Sequence, residues 1–176
     1  MGTVIRLIGP GGAGKSTTGA LLARRLGVAF IDLDASFTER YGNISAYIHR
    51  HGYEAHAREN VAMYCGLQRE PRDYVIALSS GFMTYSCDIH PEYAAVCRTV
   101  EESPTTFLLL PSFEYERCVA ETLRRQMTRP FAQSAEKEEA KIRRRFPIYM
   151  AMHTRKIETA RLVSAVVHEI ISALPA

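Results

Sequence analysis

The sequence predicts an α/β fold in which a parallel sheet is wrapped by helices, and three observations point to it. Short β-prone apolar runs alternate along the chain with stretches of helical periodicity, the order that builds right-handed βαβ units. Residues 73–78 (DYVIAL) and 105–110 (TTFLLL) are almost continuously apolar, as strands buried on both faces are. A glycine-rich segment, residues 9–16 (GPGGAGKS), joins the first apolar run to the first helical stretch.

Taken in order, residues 4–8 (VIRLI) form the first strand, because β-branched side chains suit a pleated surface. Residues 15–26 follow as a helix, with Leu21, Leu22 and Leu26 at helical spacing. Residues 28–33 read as the second strand, ending in Asp32-Leu33-Asp34. The segments 35–41, 44–51 and 54–67 read as helices, and Asn43 is placed to cap the middle one. Residues 73–78 and 105–110 are the third and fourth strands, each followed by helix-like sequence. A short fifth strand is expected at residues 153–157 and a closing amphipathic helix at residues 160–174. Residues 130–136 (PFAQSAE) interrupt two helical stretches and read as part of a mobile lid spanning approximately residues 117–136. No repeat or linker divides the chain, so residues 1–176 are expected to form one domain.

Composition narrows the class. With 47% hydrophobic and 23% charged residues, the 176-residue chain has the balance of a soluble globular protein. Its net charge of +3 is spread along the chain, so no nucleic-acid partner is expected, and the cluster at residues 141–145 reads as a solvated helix face. Four cysteines without CxxC pairing suit a reducing cytoplasm. Cys87, His90 and Cys97 follow no zinc spacing. Without a signal-like start or a run of about 20 apolar residues, the chain is expected to be cytoplasmic with no membrane partner.

The chemistry concentrates at two places. GPGGAGKS matches GxxxxGK[S/T] in the strand-to-helix context that motif requires. Its glycines let backbone N–H groups close around phosphates, and the helix N-terminus adds partial positive charge. Gly11, Gly12, Ala13, Gly14, Lys15, Ser16 and Thr17 are therefore the expected nucleotide contacts, with Lys15 on the β- and γ-phosphates and Ser16 on Mg²⁺. The second place is the end of the second strand, where alternation would put Asp32 and Asp34 on one side, at the sheet edge that binds ligands in such folds. One carboxylate would help to hold the metal while the other accepts the proton of an attacking hydroxyl; capping or loop-solvating aspartates are the alternative.

The order GPGGAGKST, FIDLD, Arg58, RPF and RFPIY resembles the shikimate kinase family over nearly the whole chain. The resemblance implies a P-loop kinase fold with a five-stranded parallel sheet in the order 2-3-1-4-5. It also implies a monomer that uses ATP and Mg²⁺ to phosphorylate a hydroxyl of shikimate, a small anionic substrate. Lys15, Asp34 and Arg129 would then be catalytic, Arg129 as the lid arginine over the phosphates and Asp34 as base and binder of ring hydroxyls. Ser16 and Asp32 would hold the metal. Arg58 and Arg145 would clamp the substrate carboxylate, and Ser80 and Gly81 would line the acceptor. Arg117 or Arg124 would stack on adenine. The chain departs from the family on the acceptor side: Ser79-Ser80-Gly81 replaces a triple-glycine turn, Ala57 a phenylalanine, and Val61 a glutamate. Those departures keep open a kinase for another small hydroxylated acceptor, such as a sugar acid, cyclitol or antibiotic. A non-catalytic nucleotide switch is the further alternative.

Overall fold

The structure is a computed structural model that describes residues 2–128 and 134–175. Five parallel strands form one sheet in the order β2-β3-β1-β4-β5, as the family resemblance implies. The central strand β1 (Val4–Ile8) lies between β3 (Tyr74–Ala77) and β4 (Thr106–Leu110), with β2 (Ala29–Asp32) and β5 (Arg155–Glu158) at the edges. Leu7 pairs with Ala77 on one side and with Phe107 on the other.

Strand alternation splits the core in two. Ile5, Leu7, Val75, Phe107, Leu109 and Ile157 face a layer made by α1 (Lys15–Leu26) and α8 (Val163–Ala173). Ile8, Ile76, Leu78, Leu108 and Leu110 face the opposite layer, which contains α4 (Tyr53–Gln68), α5 (Tyr93–Glu102), α6 (Tyr115–Met127) and α7 (Ala135–Ala151). Each large side chain buried this way contributes roughly 1.5–3 kcal/mol, so two-sided burial explains why these strands read as unbroken apolar runs. Two short helices, α2 (Leu33–Tyr41) and α3 (Ile44–His51), lie beside α4 as a shoulder. Asn43 caps α3 by accepting from the Ala46 N–H at 3.0 Å, as expected.

Where boundaries differ from the sequence expectation, a specific contact decides. β2 stops at Asp32, because that carboxylate caps α2 by accepting from the N–H groups of Asp34 (3.0 Å) and Ala35 (3.2 Å). The fifth strand starts at Arg155 rather than at 153: the His153 N–H and the Thr154 hydroxyl are instead tied to Glu101 at the end of α5. The last helix begins at Val163 and not at 160, since Thr159 bonds back to the Leu110 carbonyl and Arg161 to the Glu158 carbonyl. Of the expected lid, residues 117–127 belong to α6 and 135–136 to α7. Arg129 and the 130–133 segment lie outside the described residues.

Candidate active site

The glycine-rich loop connects β1 to α1 at the carboxyl edge of the sheet. Gly12 (φ 75°) and Gly14 (φ 88°) occupy left-handed backbone conformations that side chains strain to adopt. Gly14 caps α1 without any side-chain hydrogen bond, which leaves the first-turn N–H groups of α1 to a ligand anion. The Lys15 ammonium donates to the carbonyls of Gly9 and Pro10, each at 2.8 Å. The Ser16 hydroxyl donates to Asp32 Oδ2 at 2.5 Å. A cavity of about 70 Å³ gathers Gly11, Gly12, Gly14, Lys15, Ser16, Asp32, Asp34 and Ser80 around one space. Ala13 is fully buried behind it, and Thr17 is exposed on the first turn of α1.

The two aspartates meet this space by a route other than strand alternation. Asp32 ends β2 and Asp34 sits in the first turn of α2, so the expectation that both project from one strand is corrected: the helix cap turns the chain between them. The Asp34 carboxylate instead receives the Ser79 hydroxyl on Oδ1 at 2.5 Å. Ser79 in turn accepts from Asn60 Nδ2 at 2.7 Å, and the Asn60 amide also donates to the Tyr85 hydroxyl at 2.9 Å.

Arg145 is only 7% exposed, so the 141–145 cluster is not a uniformly solvated face as its composition suggests. Lys141 and Arg143 do pair outward, with Glu138 and with Glu116 and Glu139. Arg145 turns inward, donating to the Tyr53 hydroxyl (3.1 Å) and the Ser80 carbonyl (3.4 Å), while its Nε has no partner among the described residues. Tyr149 also donates to the Ser80 carbonyl, at 2.7 Å, and burial pushes its phenol pKa up so that it stays a donor. Gly81 sits against Tyr53 and Arg145, where even one methyl group would be too close. Arg58 lies exposed on α4 with its Nε on the Ile89 carbonyl at 3.3 Å; among the described residues no hydrogen bond joins it to Asp34 or Arg145. Ala57 and Val61 belong to the apolar core beneath the site.

On the nucleotide side, Arg117 and Arg124 line a cleft of about 560 Å³ together with Pro111, Arg125 and Arg161. Arg124 is engaged by Glu121 through two bonds of 2.7 and 2.8 Å. Sequence reasoning missed Arg125. Its guanidinium bridges the Gly12 carbonyl (3.1 Å), the Thr159 hydroxyl (3.1 Å) and carbonyl (3.0 Å), and Glu121 (2.7 Å), latching α6 and the loop after β5 to the phosphate loop. The spacing of Glu121 and Arg125, four apart on one helix, is the signal that could have found it. Gln126 was missed as well; its side-chain amide packs directly against Gly11, leaving no room for a Cβ there, and both residues line the same small cavity.

His56 is 5% exposed, and neither ring nitrogen has a hydrogen-bond partner among the described residues. Burial lowers its pKa, opposed by the nearby Asp34 charge, so it is held as a neutral ring beside Phe37 and Tyr53.

Comparison with known proteins bears on the fold and the family. The family model described as shikimate kinase matches residues 11–175. The shikimate kinase of Mycobacterium avium (strain 104) is 31% identical over 172 residues, which cover 97% of this chain and 92% of that protein. The solved structure of shikimate kinase from Acinetobacter baumannii in complex with shikimate superposes with a TM-score of 0.72 at 21% identity, covering 98% of this chain and 92% of its own. That from Bacteroides thetaiotaomicron gives 0.70 at 19% identity, with 97% and 96% coverage. At such identities the solved structures speak for the fold, a P-loop kinase sheet with its helices. The family match and the mycobacterial relative carry the assignment further: the chain belongs to the shikimate kinase family.

Proposed function

We propose that the protein transfers the γ-phosphate of ATP to a hydroxyl of shikimate. The observation that supports this reading is the convergence of Lys15, the Ser16–Asp32 pair and Asp34 on one small cavity at the carboxyl edge of the sheet. Such a placement sets an anion-binding loop and a proton acceptor on either side of a single transfer line, and positioning of this kind supplies most of the catalysis in phosphoryl transfer.

The donor set fits Mg²⁺. Ser16 and Asp32 offer hard oxygen atoms, and no group of three His, Cys, Asp or Glu side chains among the described residues forms a metal cage of its own. That suits an ion that keeps water and phosphate ligands. When bound, Mg²⁺ would offset negative charge on the phosphate oxygens. Residues 11–17 would cradle the phosphates, with Lys15 exchanging its loop carbonyls for them. Asp34 would accept the proton of the acceptor hydroxyl. Arg145 would meet the substrate carboxylate with Arg58, exchanging its contact with Tyr53 for a charge-assisted one. Ser80 and Gly81 would border the acceptor, Arg117 or Arg124 would stack on adenine, and Arg129 would close over the transferring group as lid arginine. A monomer, as the family resemblance implies, is part of this reading. No helix among the described residues is long and apolar enough to cross a membrane, in keeping with a cytoplasmic enzyme.

A second acceptor class is favoured by one observation, the hydroxyl of Ser79 on Asp34 where the family has glycine. The test is a coupled ADP-release assay at saturating MgATP with shikimate against hydroxy acids, sugar acids and cyclitols. Shikimate-dependent turnover that Asp34→Asn abolishes, with nucleotide binding kept, is the expected result. Turnover with a different acceptor alone would move the assignment to a sister kinase. Nucleotide binding without any acceptor-dependent turnover would make the protein a nucleotide switch.

A further inference from the structure

We infer that Asn60 and Ser79 are positioning residues that orient the Asp34 carboxylate toward the acceptor hydroxyl, an inference that rests on the kinase reading above. Asn60 is fully buried and Ser79 is 5% exposed, so neither side chain trades its partners with bulk water. The three groups form a chain from α4 through the end of β3 to α2: Asn60 Nδ2 to Ser79 Oγ at 2.7 Å, then Ser79 Oγ to Asp34 Oδ1 at 2.5 Å.

The direction of this chain is fixed by what each group can donate. An ionised carboxylate only accepts, so the Ser79 proton is committed to Asp34. The Ser79 oxygen then has lone pairs alone to offer Asn60, so the amide must present its NH₂ there. Its second N–H goes to Tyr85, and the Asn60 oxygen is left without a partner among the described residues. Turning the amide over would set two acceptor oxygens against each other at the Ser79 contact. Asn60 thus freezes the Ser79 rotor, and Ser79 fixes one oxygen of Asp34 to a strand end while the other stays available.

That constraint matters because Asp34 sits on the first turn of a short helix and shares its cavity with Lys15. A carboxylate free to rotate would be drawn toward that ammonium, and the reacting hydroxyl would lose its proton acceptor. The family's glycine turn has no side chain able to make this contact, so Ser79 gives the chain an acceptor side of its own.

The test compares Ser79→Ala, Asn60→Leu, the double variant and Ser79→Thr. Losing a hydrogen bond to a charged group predicts a fall in kcat of roughly ten- to a hundredfold for S79A, with the KM for MgATP within about twofold of the parent. N60L should lower kcat by a smaller factor and add little to kcat in the S79A background, because its contact with Asp34 runs through Ser79, while its bond to Tyr85 is read separately by Tyr85→Phe, which should leave kcat near the parent's. S79T keeps the hydroxyl and should recover most of the rate. Urea unfolding of D34A, S79A and their double variant reads the contact without turnover, and a non-additive cycle is expected. An S79A kcat equal to the parent's, independent N60L and S79A effects on kcat, or an additive cycle would each overturn the relay alone. A parent with no acceptor-dependent turnover overturns the kinase reading instead, and this role with it.

Discussion

Gly81→Ala isolates the acceptor side from the nucleotide side. The backbone at Gly81 (φ −100°, ψ −6°) is open to any residue, so the substitution acts through space and not through strain. Its Cβ would stand 2.5 Å from the Tyr53 hydroxyl and 2.8 Å from an Arg145 terminal nitrogen. Ordinary contact would require retreats of about 0.9 and 0.6 Å. Tyr53 is 44% exposed and swings away cheaply. Arg145 is buried, and its bond to the Ser80 carbonyl, already 3.4 Å long, breaks when it retreats. Overpacking of this size costs about 1–2 kcal/mol, or a melting temperature lower by about 2–8 °C for a chain of this length. Misplacing the guanidinium removes a charge-assisted contact worth about tenfold in acceptor KM. ADP release measured against acceptor and against MgATP in turn, with thermal melting as control, reads all three quantities. An acceptor KM unchanged in a folded variant, or an equal rise in both KM values, would refute the placement of Arg145 in the acceptor site.

Two further perturbations probe the latch on the phosphate loop. Arg125→Met removes the bridge between Gly12, Thr159 and Glu121 and should raise the KM for MgATP by about three- to tenfold while leaving the acceptor KM nearly constant; titration of each substrate decides. Glu121 has its pKa pushed down to about 2, chiefly by its hydrogen bond to Arg124, with Arg125 adding to it. A carboxylate whose folded pKa lies below its unfolded value near 4.3 contributes stability above that value and loses it as pH falls toward 2. Since Arg124 is two-thirds exposed, screening limits the contribution to about 1 kcal/mol. Urea midpoints between pH 7 and pH 3 should therefore decline less steeply in Glu121→Gln than in the parent.

Local chemistry was legible in the sequence, and long-range chemistry was not. GPGGAGKS announces a phosphate loop because glycine placement, helix start and lysine are all encoded within eight residues. Asp32 and Asp34 were found for the right reason of place and the wrong reason of geometry: an aspartate near a strand end serves alternation or an N-cap equally well, and the Asp34 and Ala35 amides decide for the cap. The burial of Arg145 is not legible in composition, because its neighbours Lys141 and Arg143 do face outward; only the family resemblance sets it apart from them. The Asn60–Ser79–Asp34 chain joins residues 19 and 45 positions apart, so nothing local encodes it. The fifth strand was displaced for the same reason, since Glu101 on a distant helix claims His153 and Thr154.

Asp32 spends its two oxygens on different halves of the molecule: one fastens the start of α2, the other meets Ser16 on α1. A single side chain therefore pins the helix that follows the phosphate loop to the helix that carries Asp34. In the proposed reading, such a pin would keep the separation between the phosphate loop and Asp34 steady while side chains around the acceptor other than Asn60 and Ser79 are exchanged to suit a different alcohol.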